Sequence, residues 1–121
     1  MAATPRDRLR AICLALPQAA EEETWGHITY RVCGKIFVIA GDDDGGRPRI
    51  SIKAPPGSQQ ILVGADSERF FVPPYVGAKG WVGMWIDRKA DWKEVELLVT
   101  RSYRLTAPKR LAALLDGPPS G

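Results

Sequence analysis

Three short segments with the apolar patterns of β-strands lie close together in the chain, and they constrain its fold more than any other feature. Residues 28–32 and 49–53 alternate apolar and polar side chains, as half-buried strands do, and residues 36–40 are apolar throughout. Gly34 and the lysine after it provide a turn between the first two of these strands, so we expect a β-hairpin there. The connections are too short for the crossovers that parallel strands need, which predicts an antiparallel meander.

Amphipathic helices are predicted at both ends of the chain. Thr4 has the properties of an N-cap, with Pro at the next position and Asp7 three residues after the cap. Apolar residues then recur every three or four positions, and this helix is expected to end before Pro17. Near the other end, Asp91 and Glu94 form a capping-box-like pair in front of a second apolar stripe.

The composition is that of one globular domain. Hydrophobic residues make up 45% of the chain and charged residues 26%, a balance that argues against disorder. We expect an α+β domain at residues 1–116 and a flexible tail at 117–121.

A short helix is predicted from Ser58, with Ile61 and Leu62 facing inward. No apolar run approaches the length of a membrane span and no leader opens the chain, so a cytoplasmic protein is predicted.

Residues 70–87 form an unusual segment. They combine two Trp, two Phe, one Tyr and three Gly with a single lysine, Lys79. Short strands are predicted at 69–72 and 81–86, joined by a loop that begins with two prolines. Aromatic residues beside Pro and Gly are typical both of a rigid recognition loop and of a structural corner. The residues alone leave both interpretations open.

The sequence contains no pattern of catalytic or metal-binding residues. His27 is the only histidine, and Cys13 and Cys33 match no zinc or redox motif, so both are predicted to be buried free thiols. The three aspartates at 42–44 lack the spacing of a calcium loop and are expected at an exposed hairpin tip. We therefore predict a protein that is not an enzyme and binds neither metal nor cofactor.

The charge is distributed unevenly, although the net charge is only +3. Residues 21–46 contain six acidic residues against two basic ones, whereas residues 47–121 contain twelve basic residues against seven acidic ones. Arg47, Arg49 and Lys53 are expected to share one face of their strand. Basic residues interleaved with aromatics can contact phosphates and stack on bases. The same residues would also suit an aromatic core surrounded by solubilising charge.

Four motifs in this order carry a resemblance to the MmcQ/YjbR family: Gly-Lys-Ile-Phe at 34–37, Ile-Ser-Ile-Lys at 50–53, the aromatic loop at 75–81, and Ser-Tyr-Arg-Leu at 102–105. The shared plan extends from the first helix to about Leu115. Many members have a Tyr-His pair in the aromatic loop, whereas this chain has Tyr75 followed by Val76.

The resemblance implies an α+β fold of the CyaY/frataxin type, with helices on one face of an antiparallel sheet. It also implies a DNA-binding protein, sometimes described as a double-wing motif. The first hypothesis is therefore a non-enzymatic DNA-binding domain whose basic residues contact phosphates. The residues assigned to this role are Arg47, Arg49, Lys53, Lys79, Arg101, Arg104, Lys109 and Arg110.

The second hypothesis is a module that binds a small anionic ligand or a protein. Its pocket would be lined by Trp25, Lys53, Tyr75, Lys79 and Trp81, with the lysines pairing with an anion. Iron binding of the frataxin kind is disfavoured, because the first helix is basic where such a surface would be acidic. The sequence does not specify an oligomeric state.

Overall fold

A computed structural model describes residues 4–87 and 89–116 of the chain, and it has the predicted α+β class. The tail predicted at 117–121 lies outside the described residues. The elements in chain order are α1 (Pro5–Leu14), β1 (Ala20–Thr24), β2 (His27–Val32), β3 (Lys35–Asp42), β4 (Pro48–Ile52), α2 (Ser58–Ala65), β5 (Phe70–Phe71), a 3₁₀ helix (Val76–Lys79), β6 (Val82–Trp85), α3 (Trp92–Thr106), α4 (Lys109–Ala112) and a second 3₁₀ helix (Ala113–Asp116).

The strands form one six-stranded antiparallel sheet with the order β1-β2-β3-β4-β6-β5. The predicted hairpin is the β2–β3 pair, and the chain continues as a meander into β4. β6 then pairs with β4, and β5 pairs with the far side of β6. The outermost strands of the sheet are therefore β1 and β5.

β1 was not predicted, because its sequence Ala-Glu-Glu-Glu-Thr does not alternate and is polar apart from the first residue. It forms by pairing with β2 along its whole length, from Ala20 opposite Arg31 to Thr24 opposite His27. Thr29 supports the pairing, since its hydroxyl donates a hydrogen bond to the backbone carbonyl of Glu22 at 2.8 Å. An exposed edge strand can be this polar because only its backbone has to be paired.

One face of the sheet is covered by helices. Val38 and Ile52 of adjacent strands are fully buried there against Val95 and Val99 of α3, in a core that also includes residues of α1. Ser102 ties α3 to two strands, since its hydroxyl donates to the carbonyl of Phe37 at 2.6 Å and accepts from the N–H of Lys53 at 2.9 Å. We call this side the helix face.

The two predicted helix starts are both present. Thr4 and Asp7 make reciprocal backbone–side-chain bonds of 3.1 Å, which is a capping box, and these bonds hold the pKa of the Asp7 carboxyl below its usual value. Asp91 accepts from the backbone N–H groups of residues 93 and 94. Glu94 does not complete the predicted reciprocal pair, because its carboxylate contacts Arg69 instead.

Two predictions about buried side chains were wrong. In α2, the side chains of Gln59 and Leu62 turn inward, three residues apart, and this leaves Ile61 70% exposed. Cys13 is a buried free thiol as predicted, but Cys33 is exposed because it occupies the tight turn between β2 and β3. Within the described residues, no helix is both long and apolar enough to cross a membrane.

Candidate binding groove on the open face of the sheet

The side of the sheet opposite the helix face carries a different set of residues. Successive residues of a strand point to opposite sides, so the neighbours of the core residues point away from the helices. Thr29, Ile39, Ser51 and Gly83 lie next to one another across β2, β3, β4 and β6. We call this side the open face.

A groove of about 630 Å³ lies on the open face. Thr29, Ile39 and Ser51 belong to its floor, and two loops that are far apart in the chain supply the rims. One rim carries Trp25, from the turn between β1 and β2, and the other carries Tyr75, from the loop after β5. The meander brings these two aromatic residues to the same groove.

Trp25 occupies a backbone position that does not favour a bulky residue. Trp25 and Gly26 form a two-residue hairpin turn in which both φ angles are positive, 51° and 79°, as in a type I′ turn. Asn or Gly is the preferred first residue of such a turn, because positive φ is costly for large side chains. Trp25 is nevertheless there, and it is 92% exposed, so packing does not explain it.

Tyr75 also has an unfavourable backbone conformation. Its φ and ψ are 66° and −64°, and the N–H of Val76 donates to the carbonyl of Pro74 at 2.7 Å, which together define a γ-turn. This turn is rare and strained, and strain of this kind is concentrated at functional sites. The Tyr75 side chain is 96% exposed, so its contacts within the protein do not stabilise the turn.

The base of the Tyr75 loop is firmly held. The buried amide of Gln59 donates to the carbonyls of Gly77 and Trp81 at 2.8 and 2.7 Å. A side chain at Gly77 would clash, because a Cβ there would lie 2.6 Å from Cγ1 of Val72. The loop therefore presents Tyr75 on a fixed backbone.

A cationic and aromatic cluster adjoins the groove on the open face. The ring of Phe71 lies across Gly83, where a Cβ would approach it to 2.2 Å, and packs against Trp85 with a centroid separation of 4.7 Å. The guanidinium carbons of Arg47 and Arg49 lie 4.3 Å from the centroid of Trp85 and 5.5 Å from that of Phe71, respectively. Both contacts have the geometry of cation–π interactions.

Arg49 differs from its neighbour Arg47 in having no counter-charge among the described residues. Arg47 pairs with Asp87 at 2.7 Å, and the acidic residues Glu22 and Asp42 are paired with other arginines. Within residues 4–87 and 89–116, Arg49 makes neither an ion pair nor a side-chain hydrogen bond, although it is half-buried and lines the groove. Its charge is therefore available to an anion.

The predicted DNA-contacting residues do not all lie on one side of the sheet. Arg47 and Arg49 are on the open face, Lys79 is exposed at the end of the Tyr75 loop, and the ammonium of Lys53 lies 5.8 Å from the ring centroid of Trp81. The other four belong to the helix layer on the opposite side: Arg101 donates to Ser58, Arg104 pairs with Asp116, and Lys109 and Arg110 are exposed on α4.

The residues predicted for a small-ligand pocket are also only partly brought together. Trp25 and Tyr75 line the same groove, as that hypothesis requires. Trp81 is not on the groove: it is 8% exposed, and its carbonyl is bonded to Gln59. Lys53 approaches Trp81 and is not among the groove residues.

Sequence reasoning missed the polar and apolar floor of the groove. Thr29 and Ile39 were assigned to strands, but no local pattern indicates which loops lie above them. The hydroxyl of Ser51 has no hydrogen-bond partner among the described side chains and backbone groups, unlike that of Thr29. The sequence signal that could have pointed to the groove is Trp25-Gly26. This pair forms the same two-residue turn as Cys33-Gly34, but with a much larger first residue.

A second cavity, of about 430 Å³, lies between α1 and the sheet, and four of its charged side chains are already paired with one another. Arg6 pairs with Asp42 at 2.8 Å, and Glu21 accepts from Arg10 at 3.2 Å and from the hydroxyl of Tyr30 at 2.8 Å. Burial and the Glu21 carboxylate raise the pKa of Tyr30, so its hydroxyl stays protonated as a donor.

No group of three or more His, Cys, Asp or Glu side chains that could hold a metal ion occurs in the described part of the chain.

Comparisons with known proteins agree with the motifs. The YjbR family model matches residues 14–105, more than half of the 121 residues, and the chain therefore belongs to the YjbR family, also known as MmcQ/YjbR. The crystal structure of Deinococcus radiodurans protein DR2400, which carries the DUF419 domain of the same family, is similar with a TM-score of 0.75 and 21% sequence identity. That match covers 98% of this chain and 92% of the other, and it confirms the fold. The curated proteins include no match.

Proposed function

We propose that the chain is a non-enzymatic DNA-binding protein that holds its ligand on the open face of the sheet. Arg49 is the central phosphate contact in this proposal, with Arg47 on Trp85 and, outside the groove, Lys53 and Lys79 as further cations. Trp25 and Tyr75 supply surfaces on which bases can stack. Membership of the family does not by itself support DNA binding, so the proposal rests on the open face. The four cations on the helix side are not part of it: Arg101, Arg104, Lys109 and Arg110.

The observation that carries the proposal is the position of Arg49. This guanidinium lies between two exposed aromatic rims and the Phe71–Trp85 pair, and it has no acidic partner in the described residues. A half-buried guanidinium without a carboxylate partner offers a site for an anion, whose charge would compensate it. A phosphate would provide that partner, and Arg binds phosphate through two parallel hydrogen bonds.

Fluorescence anisotropy of labelled DNA at increasing salt tests this proposal. If phosphates are bound, the logarithm of the affinity falls linearly with the logarithm of the salt concentration, because counterions are released. Arg49→Gln is expected to weaken binding and to reduce that slope by about 1. Arg110→Gln is the matched control, since it removes an exposed arginine on the helix side. Equal losses in the two variants, or binding that is independent of salt, would argue against an open-face site.

A second candidate function is supported by the size of the groove. A volume of about 630 Å³ is within the range of sites for small molecules, which is roughly 300–1,000 Å³. The floor is partly apolar and the cation is at one side, so the ligand would be a small aromatic anion. Thermal unfolding in the presence of such anions, with and without DNA, separates the two functions, because only a bound ligand raises the unfolding temperature.

A further inference from the structure

We propose that the groove takes one unpaired base of a single DNA strand, and that the protein therefore prefers single-stranded to double-stranded DNA. This inference rests on the proposed function and specifies its ligand. The base would stack on Trp25 or Tyr75 in the groove, with the adjoining phosphate at Arg49. The Ser51 hydroxyl in the floor would donate to or accept from the edge of the base.

The chemistry of the groove matches the parts of a nucleotide. Its two rims are aromatic, its floor combines Ile39 with a hydroxyl that lacks a partner among the described residues, and its cation is Arg49. A carboxylate, that of Asp42, also lines the groove, but it is paired with Arg6. Aromatic rims bind the face of a base, the hydroxyl suits the polar edge, and the cation suits the phosphate. An aliphatic ligand or a bare phosphate would leave one or more of these groups unused.

The two rims are organised before the ligand arrives. Trp25 is fixed by a two-residue turn between paired strands, and Tyr75 by a loop that Gln59 anchors from below. A rim that is already ordered loses little conformational entropy on binding, which favours affinity. Both residues have positive φ and almost complete exposure, which costs folding free energy and gives no packing in return. Stacking on a base explains why large rings occupy both positions.

A duplex does not fit this arrangement. Its bases are paired and stacked inside the helix, so their faces cannot reach Trp25 or Tyr75 without being flipped out, which costs free energy. The phosphates of a duplex remain accessible to Arg49, so duplex DNA is still expected to bind, but more weakly. The preference for single strands thus depends on the aromatic rims, whereas binding as such depends on the cations.

The test compares two labelled single strands of equal length, one of thymidines and one in which every nucleotide is abasic. These two strands carry the same phosphates and differ only in the bases. Annealing the thymidine strand to its complement gives a duplex, which should bind more weakly than the single strand, and equal or tighter binding of the duplex would overturn the inference. We expect the wild-type protein to bind the thymidine strand roughly tenfold to a hundredfold more tightly, since each stacked base contributes on that scale. Trp25→Asn and Tyr75→Ala are expected to lower binding of the thymidine strand towards that of the abasic strand and to leave binding of the abasic strand unchanged.

Arg49→Gln provides the contrasting pattern, because it should weaken binding of both strands. Equal, salt-dependent affinity of the wild-type protein for the two strands would overturn the inference and leave the proposed function standing. Absence of binding to either strand would overturn both. Thymidine monophosphate that binds as tightly as the strand would overturn the inference in favour of a site for small anions. Far-UV circular dichroism verifies that each variant is folded.

Discussion

The helix face and the open face belong to the same strands, yet they use polar and aromatic residues in opposite ways. On the helix face, the buried Tyr103 packs edge-on against Phe37 at 5.4 Å and donates its hydroxyl to the carbonyl of Pro17 at 2.7 Å. On the open face, Tyr75 is almost fully exposed in a strained turn. Tyr103 therefore serves folding, whereas the Tyr75 ring makes few contacts within the protein and is free to serve binding.

The largest expected effect concerns these two tyrosines. Tyr103→Ala should lower the free energy of unfolding by about 3–5 kcal/mol, because it leaves a large cavity in the core and removes the hydrogen bond to the carbonyl of Pro17. Tyr75→Ala should change it by less than about 0.5 kcal/mol, as is usual for exposed positions. Urea denaturation of both variants measures the difference. A comparable loss in the two variants would remove the distinction between the faces.

A smaller effect is expected from Gly83, where the open face has no room for a side chain. Gly83→Ala should lower the free energy of unfolding by about 1–3 kcal/mol, because the new Cβ displaces the ring of Phe71 that packs on Trp85. Gly64→Ala is the matched control in α2, where a Cβ meets nothing within 4 Å. It should stabilise the protein by about 0.5–1 kcal/mol. Thermal or urea unfolding tests the opposite signs.

Trp25→Asn is expected to stabilise the fold modestly, in contrast to Tyr103→Ala and Gly83→Ala. Asparagine suits the first position of a type I′ turn, so the free energy of unfolding should rise by about 0.5–1 kcal/mol while binding of single-stranded DNA weakens. Cys33→Asn, in the turn of the same backbone geometry between β2 and β3, should stabilise the protein without changing DNA binding. A Trp25→Asn variant that loses stability would mean that the indole contributes to folding.

The smallest effect is a pH dependence at the capping box. The bonds from Thr4 lower the pKa of Asp7 below its ordinary value of 3.8, so its stabilising contribution is complete above that value and is lost as the pH falls through the lower pKa of the folded state. Asp7→Asn should therefore flatten the fall of the unfolding temperature below about pH 4. Asp44→Asn, in an exposed loop, serves as the control. Parallel acid profiles for wild type and Asp7→Asn would contradict this assignment.

Much of the fold could be predicted because it depends on local patterns. The capping pair at Thr4 and Asp7, the alternation in β2 and β4, and the apolar stripe of α3 each indicate an element within a few residues. β1 could not be found in this way, since its glutamates become a strand only when β2 is there to pair with them. Ile61 illustrates another limit, because a short helix can turn either of two apolar residues inward.

The groove was harder to predict, because its parts meet only through the topology. Sequence reasoning selected Trp25, Tyr75 and Arg49 individually. The same predicted sets also included Trp81 and the basic residues of α3 and α4, which do not line the groove. Trp81 and Trp25 look equivalent in a sequence, and only the sheet shows that one is buried in the core and the other is exposed at a turn. The sequence also could not distinguish Arg104, which has an acidic partner, from Arg49, which has none among the described residues. The partner of Arg104 is Asp116, twelve residues further along the chain.

The polar sequence of β1 has one more consequence. A sheet that ends in an unpaired strand offers its backbone to other chains, and such edges promote aggregation. Here one edge, β1, carries three consecutive charged residues, Glu21, Glu22 and Glu23, and the other edge, β5, is only two residues long. Charged side chains on one edge and short length on the other both disfavour the addition of a further strand, so each edge of the sheet is protected by its own sequence.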